Sequence, residues 1–230
     1  MKKPSKAMVL LATLAICAGL APMAAFAAEP TTIEVGSSAE FDNAVATVNA
    51  ATSGEYVIKL IDNLEDAGAV FSNTCPATIL GNGHTMTLGQ YSSLSVQPNA
   101  QLNLGAADGS DTLKISGGNA QSNDVPGLLY IQGACNMYPG VTVADRKGEN
   151  YFGGGVTVQG GTFHMYGGTI DNCGITGGSM CYGGGVAVIY GGSFTMDGGE
   201  ITNCFATSPF KASDYGMDAR IITSAGGGVY

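Results

Sequence analysis

Two segments of this chain are near copies of one another. Gly153 to Cys173 reads GGGVTVQGGTFHMYGGTIDNC, and Gly183 to Cys204 reads GGGVAVIYGGSFTMDGGEITNC, with one added residue near Tyr190. A third copy opens at Gly226 as GGGVY. The copies start 30 and then 43 residues apart, and the extra length falls between Cys204 and Gly226. That placement predicts a loop outside the repeating core. A unit recurring at such a period cannot bury its own apolar face and must stack on its neighbours, which is the signature of a solenoid.

Within each copy the apolar residues alternate with period two: Val156 and Val158, then Phe163 and Met165, then Ile170; Val186 and Val188, then Phe194 and Met196, then Ile201. Alternation this short excludes an amphipathic helix, which needs a 3.6 period. Gly-Gly pairs about seven residues apart separate the three runs, giving three short strands per turn. A propeller blade would need about 40 residues and four strands. Each strand is therefore expected to pair in parallel with its equivalent one coil away, about 4.8 Å along the axis. The expected stacks are Val156 on Val186, Phe163 on Phe194, Met165 on Met196 and Ile170 on Ile201. Glycines at the corners allow positive φ and close approach of neighbouring coils.

Earlier segments read as worn copies. Leu128 to Val143 is one more coil, and Ala77–Leu80, Thr85–Leu88, Leu94–Val96, Leu102–Leu104 and Leu113–Ile115 are candidate strands before it. About five coils result. Nearer the start, Ser38 is a candidate N-cap followed by Phe41, Ala44, Val45 and Val48 at helical spacing, with Ser53-Gly54 as the stop. A short helix there would cover the open end of the first coil and block edge-to-edge association. Tyr56 to Ile61 reads as the strand after it.

The first 27 residues read as a secretory signal peptide, with Lys2, Lys3 and Lys6 before the apolar run Ala7–Leu20 and an Ala-Phe-Ala cleavage site at 25–27. No later segment is long and apolar enough for a transmembrane helix. The chain thus divides into a signal peptide over 1–27, an N-terminal cap with a short helix over 28–55, and a parallel β-helix over 56–230. The last coil is cut off five residues after it begins, so the sequence is expected to continue into further coils of a longer chain. The nine basic residues fall to six after cleavage against 18 acidic ones, a net charge of −12. Such a surface repels nucleic acid and anionic membranes. Export implies an extracellular, oxidising setting for the five remaining cysteines, of which an odd one must stay unpaired.

The glycine-punctuated motifs GGGVxV, GGTFxM and GGTIxNC, together with Gly81-Asn82-Gly83-His84-Thr85, resemble the pectin-lyase-like repeats of bacterial surface proteins of the adhesin and autotransporter-passenger type. The resemblance is clear over Gly153–Tyr230 and weaker back to Tyr56. It implies an all-β, right-handed, single-stranded parallel β-helix. It also implies a cell-surface scaffold with adhesin-like binding of host proteins or glycans. Some members of this fold group cut polysaccharides, so a lyase or glycoside hydrolase acting on extracellular glycans is the alternative. Fold alone does not decide between them.

The catalytic candidates are Asp171 and Glu200. Their column mates are expected to be Thr202 and Thr169, which makes the two acids diagonal neighbours about 7–8 Å apart, a separation compatible with an inverting glycosidase. Arg146 and Lys147, in the loop before Gly153, could serve a lyase. His84 belongs to the opening turn, and His164 faces outward near Thr195 with no nucleophile nearby. No zinc spacing, phosphate loop or calcium nonapeptide occurs, so neither metal nor cofactor is expected. Cys173 and Cys204 share one repeat position, about 5 Å apart at Cα and within disulfide reach. A ladder of small buried thiols is the favoured alternative, because stacked side chains point the same way. Asn172 and Asn203 should form a turn ladder. The loop after Cys204 carries Phe205, Phe210, Tyr215 and Met217, unusually apolar for a loop, and is expected to fold against the solenoid and contribute to binding.

Overall fold

The structure, a computed structural model, describes residues 29–117, 127–149, 152–176, 180–207, 223–225 and 227–230. Residues 1–27, read above as a signal peptide, and Phe210, Tyr215 and Met217 lie outside the described residues.

The chain winds as a parallel β-solenoid whose strands stack into three principal faces of seven, six and five strands among the described residues. Face 1 runs from Thr31–Val35 and Tyr56–Leu60 through Ala77–Leu80, Gln101–Leu104 and Ala134–Met137 to Thr162–Met165 and Ser193–Met196. Face 2 runs from Leu64–Ala67 to Glu200–Thr202, and face 3 from Ala69–Phe71 to Val186–Ile189. Each turn visits faces 1, 2 and 3 in that order. Every described pair is parallel, as a chain that always advances in one direction requires.

Face 2 holds six strands, one per turn, so the described solenoid has six turns rather than the five read from the sequence. The extra turn begins at Leu64–Ala67, where a register irregularity opposite Met86–Leu88 hides the alternation. The last turns also exceed three strands: Lys147–Gly148, Gly174–Thr176 and Phe205–Thr207 form a small sheet between faces 2 and 3.

The core consists of columns of apolar side chains, one per turn. On face 1, Ile58, Ile79, Leu104, Met137, Met165 and Met196 occupy one register. Beside it stand Ala77, Leu102, Cys135, Phe163 and Phe194. Face 2 contributes Leu64, Met86, Ile115, Val143, Ile170 and Ile201, and face 3 contributes Leu94, Leu129, Val156 and Val186. All four stacks expected from the repeat are present. The Phe163 and Phe194 rings lie 5.4 Å apart and 13° from parallel. Each fully buried side chain of these columns contributes on the order of 2 kcal/mol, whereas Phe194, Met196 and Ile201 in the last described turn keep contact with water.

The N-terminal helix spans Ser38–Ala50 and buries Phe41, Ala44, Val45 and Val48, the four residues expected. Its cap is Ser37, not Ser38: the Ser37 hydroxyl accepts the Glu40 N–H, while Glu40 reaches back to accept the Gly36 N–H. The Ser38 hydroxyl instead donates to the Glu65 carbonyl, tying the helix to the first turn of face 2. The strand Thr31–Val35, absent from the sequence reading, pairs with Tyr56–Leu60 and extends face 1. It displaces the solvent-facing edge to Thr31–Val35, most of whose residues are exposed.

Candidate functional site

Alternation puts every second residue of a face outward, and the solenoid converts these outward residues into columns as regular as those inside. On face 1 the column Thr78, Asn103, Asn136, His164, Thr195 runs along the axis. Its amides are linked: Asn136 Nδ2 donates to Asn103 Oδ1 at 2.9 Å, and Asn103 Nδ2 to Thr78 Oγ1 at 3.3 Å. Two residues further along each strand stands a second column, Tyr138, Tyr166 and Asp197, fixed by backbone bonds from each of these residues to the turn before.

The two columns meet in one cluster. The rings of Tyr138 and Tyr166 stack at 5.2 Å and 12°. His164 lies on Tyr166 with ring centroids 3.7 Å apart and 18° between planes. Asp197 Oδ2 meets His164 Nε2 at 2.7 Å. At the adjoining corner a Cβ on Gly167 would stand 2.7 Å from Pro139 Cγ, so only glycine lets these two turns close up. Tyr166 is 42% exposed, and Tyr138 and His164 are half-buried. The product is a flat, rigid surface of aromatic edges, amides, hydroxyls and one carboxylate. The side chains hold each other in place, so little rotamer freedom remains to be lost on contact with a partner.

Face 2 carries the acids singled out from sequence. Asp171 lies across from Thr202, and Glu200 across from Thr169, so the two carboxylates are diagonal as expected. Asp171 Oδ1 accepts from Asn203 Nδ2 at 2.7 Å and from Thr202 Oγ1 at 2.8 Å. Those bonds, Asn203 first, hold its carboxyl below the usual range. Asp145, one turn earlier, accepts from Lys114 Nζ at 2.7 Å and from Asn172 Nδ2 at 3.0 Å, and is lowered by the same two partners. Asp145, Asn172 and Asn203 all have positive φ, so the turn ladder runs from each asparagine amide to a carboxylate of the turn before. A carboxyl so held is an ionised acceptor, which is the reverse of what a general acid requires.

The sign of its pH effect follows. A depressed folded pKa adds stability that is present above the unfolded value of about 3.9 and is lost as pH falls through the lowered one. Thermal stability should therefore fall as pH drops below about 4 in the wild type, and less so in Asp171→Asn. Equal acid sensitivity in the two proteins would remove Asp171 from this role.

The turn at Asn82 and Gly83 joins faces 1 and 2 in the second coil rather than opening the solenoid; both residues have positive φ, and His84 N–H closes it on the Gly81 carbonyl at 2.8 Å. Asp111, unremarked in the sequence, holds it from the next turn by accepting the Gly81 and Asn82 N–H groups at 2.9 and 2.7 Å. A shallow groove of about 220 Å³ beside it is lined by His84, Thr85, Lys114 and Thr142; a second, of about 230 Å³, lies on the cap between Glu34, Glu40 and Thr47. Both are smaller than pockets that enclose a small ligand. Among the described residues no group of three or more acidic, histidine or cysteine side chains could hold a metal ion, and no helix is long and apolar enough to cross a membrane.

Arg146 departs from the loop position expected of it. It is wholly buried, beneath Cys173 in the turn between faces 2 and 3, while Lys147 stays exposed. Phe205 is also structural: its ring covers Gly174, where a Cβ would stand 2.2 Å from it. Comparison with family models, curated protein sequences and solved structures returns no match to this chain.

Proposed function

We propose that the protein is an exported, cell-surface β-helix scaffold of the right-handed pectin-lyase-like, adhesin type, whose outer face 1 binds glycans. The observation that carries this reading is the cluster of Tyr138, Tyr166, His164 and Asp197 beside the Asn103–Asn136 amide ladder. A glycan offers C–H edges and hydroxyls. Aromatic surfaces take the first, and amides, tyrosine hydroxyls and a carboxylate take the second. A flat, preorganised face spaced at the coil repeat suits an extended polymer better than a small molecule. The acidic net charge favours neutral or basic sugars over polyanions.

The test is binding of the full-length secreted protein to immobilised neutral and amino-sugar glycans. Tyr166→Ala should weaken binding about tenfold or more, as loss of a central aromatic anchor does. Tyr190→Ala should leave it unchanged, since Tyr190 is 77% exposed at another corner. Equal affinity of Tyr166→Ala and wild type, with both folded by circular dichroism, would defeat the assignment. Release of new sugar ends from uronate-rich glycans, abolished in Asp171→Asn, would instead make the protein an enzyme.

A further inference from the structure

Three equivalent positions of successive turns are occupied by Arg146, Cys173 and Cys204. The alignment is fixed by backbone bonds: Gly174 N–H donates to the Arg146 carbonyl at 2.8 Å, and Phe205 N–H to the Cys173 carbonyl at 3.0 Å. Both thiols are unbridged, Cys173 fully buried and Cys204 half-buried. Each sulfur sits against a glycine of the GGG motif. A Cβ on Gly155 would lie 3.1 Å from Cys173 Sγ, and one on Gly185 3.2 Å from Cys204 Sγ. Adjacent coils of a parallel stack are separated by about 4.8 Å, inside the Cα range of disulfides.

From this column we infer an oxidation site: Cys204 reacts with small extracellular disulfides, and Cys173 resolves the adduct to give a cross-coil disulfide that locks the last two turns together. The inference is independent of glycan binding.

Two further observations point the same way. Cys204 is the more accessible sulfur, and the Cys173 S–H beside it lowers the Cys204 thiol against opposition from burial and from the Asp171 charge. Cys173 is raised, by Cys204 and by burial, and stays protonated until the second step. Beneath it in the column stands Arg146, whose side chain is buried. Its Nη1 donates to the Ser92 carbonyl at 3.2 Å, and its Nε and Nη2 have no hydrogen-bond partner. The cation and a Cys173 thiolate are close enough for their charges to attract.

The chemistry balances. The Cys204 thiolate attacks one sulfur of the small disulfide, whose S–S bond breaks, leaving a mixed disulfide on Cys204 and a free small thiolate. Cys173 gives its proton to that thiolate and attacks Cys204 Sγ. The Cys173–Cys204 bond forms, and the second small group departs as a thiolate that takes up the proton Cys204 released on ionising. Two protein thiols are oxidised by two electrons, and one small disulfide is reduced to two thiols.

The experiment treats the reduced, full-length secreted protein with oxidised glutathione, caps remaining thiols with N-ethylmaleimide, and maps peptides by mass spectrometry without reduction. The expected product is a Cys173–Cys204 cross-link lacking two hydrogens. Cys173→Ser should stop at glutathione on Cys204, and Arg146→Met should slow resolution about tenfold without changing the product. Recovery of both wild-type cysteines as maleimide adducts overturns the inference. So does a persistent glutathione adduct on Cys204, or cross-linking confined to another pair. The wild-type result decides even if a variant fails to fold.

Discussion

Replacing Phe163 by alanine should lower the stability of the solenoid by about 3–5 kcal/mol. Phe163 has no exposed surface, lies between Cys135 of the turn before and Phe194 of the turn after, and faces the latter ring at 5.4 Å. Truncation forfeits the transfer energy of the ring and leaves a cavity that rigid stacked turns cannot collapse to fill. The same change at Phe194 should cost less than half as much. Phe194 is only partly buried, because the described residues of the turn above it pair with Met180–Tyr182 and Val186 and none pairs with face 1. A solenoid's stability is close to a sum of turns and their interfaces, so the comparison isolates what the interior position adds. Urea unfolding of the two variants measures it, read as a change in midpoint at constant slope. Equal losses would mean that the columns do not carry the stability of the last turns.

The interior was readable from sequence wherever two turns repeat nearly residue for residue. The pairings of Val156 with Val186 and Ile170 with Ile201 follow from alignment alone, because in a parallel stack equal positions must superpose. Legibility faded toward the N-terminus for a physical reason. The strand Thr31–Val35 buries only Val35 fully and stands at a sheet edge, so it has no second apolar face to announce it. Turn Leu64–Ala67 contains an irregular register that breaks the alternation.

The outer cluster left a signal that an inward reading passes over. Tyr138 and Tyr166 each follow the buried methionine of their strand, as CNMY and FHMY, and the third copy puts Asp197 there. Equal register makes those outward residues neighbours as surely as the inward ones. Arg146 was less legible. An Asp-Arg-Lys run looks like a solvated loop, and it is the pairings of Ala144 with Asp171 and of Lys147 with Gly174 that put Arg146 beneath Cys173.

That position supports the second large effect: Arg146→Met should stabilise the protein, by about 1–4 kcal/mol. The guanidinium is fully buried with one hydrogen bond, to Ser92, and its Nε and Nη2 are unpartnered. Burial pulls its pKa down to about 10, a shift eased by the Cys173 sulfur. The folded state therefore sheds the proton more readily than the unfolded chain. For a cation with a depressed folded pKa, charge opposes folding at every pH below that value and the opposition fades as pH rises through it. A shift of this size corresponds to roughly 3 kcal/mol carried at neutral pH. Methionine keeps much of the volume and the unbranched stem while deleting the charge and its unmet donors. The single bond to Ser92 is lost, worth about 1–3 kcal/mol when the donor is charged, and this sets the lower end of the expected gain. Lysine at this position should not help, since it retains a cation with fewer ways to share its charge. Chemical unfolding at pH 7 of Arg146→Met and Arg146→Lys, with the thiols kept reduced, separates the outcomes. A methionine variant less stable than the wild type would show that the guanidinium's contacts outweigh its desolvation.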